Sequence, residues 1–284
     1  MRNLKLTLAY DGADFSGWQV QPDCRTVQGI LAEALARVTG EAVLPQGSGR
    51  TDAGVHALAQ VASVNLASTI PPGNLAQALN DVLPPAIRIL LAEEVPPGFH
   101  ARGAARAKTY RYRILLSGIC SPFLARYVHH HPWPLDEAAM KAAAPRVEGE
   151  HDFTSFAAVD PERAERLRLA ASVTPSSSEC AKPPIPYPNR ARLGCPAPGK
   201  EMRSNIRMLF SSHFERQGDE LVYTVRGSGF LHHMVRNLVG TFLLVGRGKL
   251  TTEDIPRILG ARHRSANPGP TAPASGLYLV NVEY

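Results

Sequence analysis

The sequence predicts a mixed α/β (α+β) fold, and three observations lead to it. Short stretches alternate apolar and polar residues with period two, as in Leu4, Leu6, Leu8 and Tyr10. Between them lie segments with apolar residues at helical spacing, the clearest being Val27, Ile30, Leu31, Ala34, Leu35 and Val38. The order in the first part of the chain is strand, helix, strand, helix, strand, which suggests helices laid over a sheet.

Composition narrows the class. At 284 residues and 44% hydrophobic content there is ample chain for a core, and the length suggests about two domains. No apolar run approaches the ~18 residues of a membrane span. Met1 to Lys5 leads straight into an alternating strand and does not read as a signal peptide. Cys24, Cys120, Cys180 and Cys195 form no Cys-x-x-Cys pair, so they read as a reduced, cytoplasmic set without a zinc site. Cys180 and Cys195 share one loop-like segment, where a local disulfide is the alternative. Lys and Arg number 31 against 25 Asp and Glu, a net charge of +6, which is compatible with a polyanionic partner. Arg102, Arg106, Lys108, Arg111 and Arg113 place five cations within twelve residues; a solvated basic face is the plain alternative.

The first strand runs from Leu4 to Tyr10, and Asp11-Gly12 turns the chain into Phe15-Ser16-Gly17-Trp18-Gln19. Thr26 is placed to cap the first helix at its N-terminus and Gly40 at its C-terminus. Next comes Gly47-Ser48-Gly49-Arg50-Thr51-Asp52-Ala53-Gly54-Val55-His56-Ala57. Three glycines in eight residues let this backbone turn tightly and approach a ligand closely. A cation, Arg50, and a carboxylate, Asp52, sit in the middle. A strand from Leu58 to Leu66 follows, so Asp52 falls on a loop between ordered elements, where chemistry is often carried. The bland reading is a surface turn. Asn74 is placed to cap a second helix bearing Leu75, Ala78, Leu79 and Val82, ended by Pro84-Pro85. Ile87 to Leu91 reads as an apolar strand, and Val95-Pro96-Pro97-Gly98 closes the unit.

Beyond Phe99-His100-Ala101-Arg102, a strand alternates Tyr110, Tyr112 and Ile114 with Arg111, Arg113 and Leu115, which puts aromatic rings on one face and cations on the other. Two core tyrosines in a basic-edged strand are the alternative. His129-His130-His131 lacks metal-site partners at fixed spacing. Asp136 to Ala144 is a short helix stopped by Pro145. Asp160 to Lys200 holds eight prolines and the run Ser176-Ser177-Ser178, and reads as an insertion that sustains neither helix nor central strand. Ile206, Met208 and Phe210 alternate, then Leu221, Tyr223 and Val225, around Gln217-Gly218-Asp219: a hairpin. Met234, Leu238, Phe242 and Val245 mark a helix face toward the core. Arg236 falls off that line; if buried it needs a carboxylate partner. His232-His233 read as the start of this helix. Thr252, with Asp254 in the first turn, starts a last helix in which Pro256 is tolerated near the start. A Pro/Gly-rich loop, Ala266 to Ala274, precedes a terminal strand with Leu277, Leu279 and Val280.

Four separated blocks, Arg50–Ala57, Phe99–Tyr112, Gly227–Gly240 and Pro273–Leu279, resemble the tRNA pseudouridine synthase A family and stand in that family's order. The resemblance covers most of residues 3–158 and 203–284. It implies two related α/β domains with antiparallel-rich sheets, helices on one face and an active-site cleft between them. They would divide into 1–105, carrying the catalytic loop, and 106–284, with the Pro/Ser-rich insertion at about 160–200. It implies isomerisation of uridine to pseudouridine at positions 38, 39 and 40 of the tRNA anticodon stem-loop. Asp52 would be the nucleophile and Arg236 its partner; an adjacent arginine favours the ionised carboxylate that attack requires. Tyr110 would stack on the flipped base, near the C5 proton, and Arg50 would occupy the vacated space. Leu277 would wall the base, while Phe99, His100, Ala101, Arg102 and Gly103 would contact the RNA backbone. The reaction involves no redox change or net hydrolysis and so requires neither metal nor nucleotide cofactor. The expected partner is tRNA, with no membrane, in a cytoplasmic homodimer. The chain departs from the family pattern at the insertion and at Ser228, whose flanking glycines suggest a looser lead-in to the helix.

Two other classes fit part of the sequence. A non-catalytic RNA-binding module fits the basic strand and aromatics but not the Arg-Thr-Asp block. A phosphate-handling enzyme fits the glycine loop, which lacks the Gly-Lys-Ser/Thr ending of a P-loop.

Overall fold

The computed structural model describes residues 1–158 and 204–284. The segment read as an insertion, with Cys180 and Cys195, lies outside the described residues. One sheet of ten strands organises the rest. The strands are β1 (Arg2–Tyr10), β2 (Gln46–Gly47), β3 (His56–Leu66), β4 (Ile87–Val95), β5 (Ala107–Leu115), β6 (His129–His130), β7 (Gly149–Asp152), β8 (Ile206–Gln217), β9 (Glu220–Gly227) and β10 (Leu277–Glu283). Their order is β4-β1-β3-β10-β5-β9-β8-β7, with β2 paired to β3 and β6 to β5. Only the β3–β10 and β5–β6 pairs are parallel. The helices are α1 (Val27–Thr39), α2 (Pro72–Val82), α3 (Glu137–Ala143), α4 (Met234–Gly246) and α5 (Asp254–Ala261). This is the mixed, antiparallel-rich class that the alternating segments predict.

Local chemistry accounts for most boundaries. The Thr26 hydroxyl accepts from Gly29 N–H at 3.3 Å, and Gly40 ends α1 at φ 73°, where a side chain would be strained. Helix α2 differs from expectation. It starts at Pro72 behind Pro71, without a side-chain cap, so Asn74 lies inside the first turn. Proline's fixed φ supplies there what a capping side chain supplies elsewhere. Strand β4 runs on to Val95 because β1 pairs along it as far as Asn3–Val95, with Lys5 and Glu93 bridged at 2.7 Å. Exposed Leu90 and Leu91 hide that continuation from a burial pattern. Helix α5 begins at Asp254, whose Oδ2 accepts from the Thr251 N–H at 2.6 Å.

Leu4, Leu6 and Leu8 of β1 are fully buried. Each such burial is worth roughly 1.5–3 kcal/mol before entropy is charged against it. Phe242 of α4 packs on Phe214 of β8 and Tyr223 of β9, with centroids 5.6 and 5.4 Å apart, which seats α4 on the sheet. The lead-in to α4 is tight rather than loose. A Cβ at Gly227 would lie 2.6 Å from Leu209 Cδ2 and 2.9 Å from the Met208 carbonyl. Gly227 thus serves close packing against β8, and Ser228 N–H donates to Met208 O at 2.9 Å. Among the described residues, no helix is long and apolar enough to cross a membrane.

Candidate active site

The middle of the sheet is a thin seam. β10 meets β3 through only two paired positions, Tyr278–His56 and Leu279–Ala57, while it pairs with β5 from Leu277 to Glu283. The glycine-rich loop enters β3 at that seam, so Asp52 stands four residues ahead of it. His56 stacks on Tyr278 at 4.8 Å between centroids. Its Nδ1 accepts from Gly12 N–H at 3.1 Å, and its Nε2 lies 3.1 Å from the Arg126 carbonyl. Burial pushes its pKa down against the pull of Asp11, so His56 works as a neutral strut between three segments.

The segment after β1 cradles the loop. Trp18 N–H donates to the Thr51 carbonyl at 3.0 Å, and Gly54 N–H to the Phe15 carbonyl at 3.3 Å. A Cβ at Gly12 would fall 1.9 Å from the Val55 carbonyl oxygen, and one at Gly17 2.6 Å from that of Thr51. Both glycines are therefore required by backbone approach. The Tyr10 hydroxyl lies 2.8 Å from Thr51 Oγ1; burial pushes that phenol up to about 12, so it stays protonated.

Helix α4 brings the opposing charge. Arg236 Nη1 donates to Asp52 Oδ2 at 3.1 Å, and its Nε donates to the Ala272 carbonyl at 2.7 Å. The proline-glycine loop holding Ala272 is itself fixed on α4. Thr271 Oγ1 donates to Asn237 Oδ1 at 2.7 Å, and a Cβ at Gly240 would lie 1.7 Å from the Pro270 carbonyl oxygen. Arg236 thus reaches Asp52 from a rigid base, and Asp52 keeps 21% of its side chain open. A carboxylate so placed is partnered yet accessible.

Two histidines that the sequence reading takes as a mere helix start also face Asp52. His232 Nε2 is 3.6 Å from Oδ1 and His233 Nε2 is 3.4 Å from Oδ2. Their rings stack at 3.9 Å. His233 holds φ 57°, the left-handed region that a residue with a Cβ rarely adopts but that turns the chain into α4. Burial, helped by His232 and Arg236, lowers its pKa despite Asp52, which keeps it neutral near pH 7. With Asp52, these histidines have donor atoms close enough to hold a metal ion. The tautomer argues otherwise. His232 Nδ1 is buried without a partner, and a lone pair there is cheaper than an N–H. That leaves Nε2–H toward Asp52, whereas a ligating Nε2 needs Nδ1–H on an acceptor. The sequence signal was two adjacent histidines ahead of Met-Val-Arg-Asn, with nothing to show their aim.

The remaining predicted residues lie as follows. Tyr110 pairs with Val225 and Leu279, is 7% exposed, and meets Phe230 edge-on at 4.9 Å. Burial first, then Tyr10 and Asp52, drive its pKa above the usual phenol range, so it is neutral and electrostatically within reach of the carboxylate. Tyr112 behind it is fully buried and donates to the Pro273 carbonyl at 2.8 Å. Leu277, paired with Tyr112, is 5% exposed. Arg50 Nε donates to Gln19 Oε1 at 3.2 Å. Phe99 packs on Tyr284 at 5.0 Å, and Ala101 is fully buried, its N–H on Ser63 Oγ at 3.1 Å. His100 Nδ1 accepts from the N–H groups of Arg102 and Gly103 at 3.1 and 3.2 Å. This block is an anchored turn that displays Arg102, with Ala101 as its buried peg.

Comparison with known proteins now bears on the geometry. A family model described as tRNA pseudouridine synthase matches residues 7–102 and 192–284. A curated relative named tRNA pseudouridine synthase A from Solibacter usitatus is 48% identical over 285 residues, covering 100% of both chains. Relatives of the same name from Moorella thermoacetica and Brevibacillus brevis are 42% and 41% identical, covering 99% and 100% of each chain. With matches of this extent across both sides of the seam, the chain belongs to the tRNA pseudouridine synthase family.

Proposed function

We propose that this protein isomerises uridine to pseudouridine at positions 38, 39 and 40 of the tRNA anticodon stem-loop, with Asp52 as nucleophile on a flipped base. The observation that carries the reading is the accessible Asp52 carboxylate held at 3.1 Å by Arg236. The reaction breaks the bond from uracil N1 to ribose C1′ and joins C1′ to C5; C5 loses a proton and N1 gains one. An ionised oxygen that keeps the detached halves together meets the need for a covalent holder. Tyr110 gives the base a ring to stack on, Leu277 closes an apolar wall, and Arg50 fills the gap in the helix. Extrusion costs a few kcal/mol, supplied by these contacts and by backbone contacts from the turn carrying Arg102. The two arms of the sheet act as the two related domains, 1–105 and 106–284, and the working form is a cytoplasmic homodimer.

The test is incubation of unmodified tRNA with purified protein and no added cofactor, with pseudouridine mapped by nucleotide. Wild type modifies positions 38 to 40, while Asp52→Ala forms no product and still binds tRNA. Product from Asp52→Ala would remove that residue from the chemistry.

A further inference from the structure

Among the described residues, Lys108 is a cation with no anion of its own. It lies on β5, two residues before Tyr110, and its Nζ donates to the Ser48 carbonyl at 2.7 Å. That carbonyl is two residues before Arg50 and four before Asp52. The bond occupies one of the three ammonium N–H groups. Among the described residues, no carboxylate lies within ion-pair distance of Nζ, and the charges that act on it most are two more cations, Arg102 and Arg207. Burial and those cations lower its pKa to about 8, so it is still charged at neutral pH. Among the described residues, a half-buried lysine with no carboxylate at ion-pair distance is an expensive arrangement. A backbone strap to Ser48 does not explain it, since any neutral donor could hold a carbonyl. The ammonium also lies directly against the loop backbone: a Cβ at Gly49 would lie 2.7 Å from Nζ.

We infer that Lys108, together with Arg102 and Arg207, receives a backbone phosphodiester of the RNA strand beside the target uridine. The same ammonium then joins that phosphate to the Ser48 carbonyl, so docking of the backbone sets the loop that bears Asp52. The inference rests on the tRNA reading above and adds the chemical group and its three partners.

The experiment measures binding of unmodified tRNA across a salt series for wild type, Lys108→Met, Lys108→Arg and Gly49→Ala. Each phosphate contact contributes about 0.7–0.9 to the slope of log affinity against log salt. Lys108→Met should flatten the slope by about one contact and weaken binding roughly tenfold at low salt, and Lys108→Arg should restore the slope. Gly49→Ala keeps every charge yet should weaken binding, because its methyl group crowds Nζ. Wild-type binding should also take up a proton between about pH 8 and 9, and Lys108→Arg should not. A slope unchanged in Lys108→Met overturns the assignment. If that variant does not fold, an unaltered Gly49→Ala affinity together with no proton uptake by wild type does the same. Inorganic phosphate alone, competing with tRNA for wild type but not for Lys108→Arg below the concentration at which chloride competes, would make free phosphate the occupant and overturn the RNA assignment. Absence of pseudouridine with wild type would sink the enzymatic reading and leave this binding result standing.

Discussion

Arg236 and Lys108 are both cations brought to the same loop, one from each side, and they are satisfied in opposite ways. Arg236 has its anion built into the chain, Asp52 at 3.1 Å, and a carbonyl behind it at 2.7 Å. Lys108 has a carbonyl at 2.7 Å and two arginines for charged neighbours. The first arrangement is complete within the chain and fixes the Asp52 carboxylate. The second is incomplete until something negative arrives, and it stores that demand as a lowered pKa. One side of the loop prepares the chemistry, and the other side waits for the substrate.

Four changes test this contrast, in falling order of expected effect. Arg236→Leu removes the built-in partner. Turnover should drop on the order of 100-fold or more, the scale for losing one preorganised electrostatic partner, with much less change in tRNA affinity. A single-turnover assay beside a binding isotherm reads both; equal losses in the two would mean Arg236 merely grips RNA. Gly12→Ala attacks the cradle, where the new methyl would meet the Val55 carbonyl oxygen at 1.9 Å. Chemical denaturation should show a loss of about 1–3 kcal/mol or more, and no loss would mean the cradle yields freely.

The third change concerns pH. Lys108 releases its proton at about 8 in the folded chain and near its usual 10.5 when unfolded. Between those values the unfolded state binds more protons, so folded stability rises with pH. Lys108→Met lacks this contribution. Wild type should therefore gain on the variant from about pH 8 to 10, by roughly 2 kcal/mol for a half-buried group. Parallel stability curves would show that the lysine is not strained by its cationic neighbours. The smallest effect is expected of His233→Gly. Glycine adopts φ 57° without penalty, so stability should rise by up to about 1 kcal/mol while turnover falls for want of the imidazole at Asp52. Turnover unchanged in that variant would make the imidazole a spectator.

The contrast also explains what could be read from residues alone. Period-two and helical spacing located the sheet and helices, because burial of Leu4, Leu6 and Leu8 or of Val27, Leu31 and Leu35 leaves a periodic trace. Thr26 and Gly40 were legible as caps because their chemistry is local. Helix α2 starts at Pro72, three residues ahead of the start that a cap at Asn74 implies, since proline at N1 does without a capping side chain. Asp52, Arg50, Tyr110 and the pairing of Arg236 with Asp52 stood out through a resemblance; the residues alone said only that Arg236, if buried, needs a carboxylate. Lys108 left no such trace: among five cations in twelve residues, only tertiary structure distinguishes the one pressed against Ser48. The aim of His232 and His233 depended on a left-handed turn at His233, a conformation that no side chain announces in advance.

The position of β10 has a consequence for how the molecule comes into being. Among the described residues, strands β4-β1-β3 and β5-β9-β8-β7 are joined in the sheet only through Leu277–Glu283. During synthesis the early arm can gather its own leucines long before then, and the later arm can close its hairpin. The strand that pairs with both arms is made after them. A chain cut ahead of Leu277 would lose that strand pairing and keep the side-chain links between the arms, Arg236 to Asp52, Lys108 to Ser48 and His56 to Arg126.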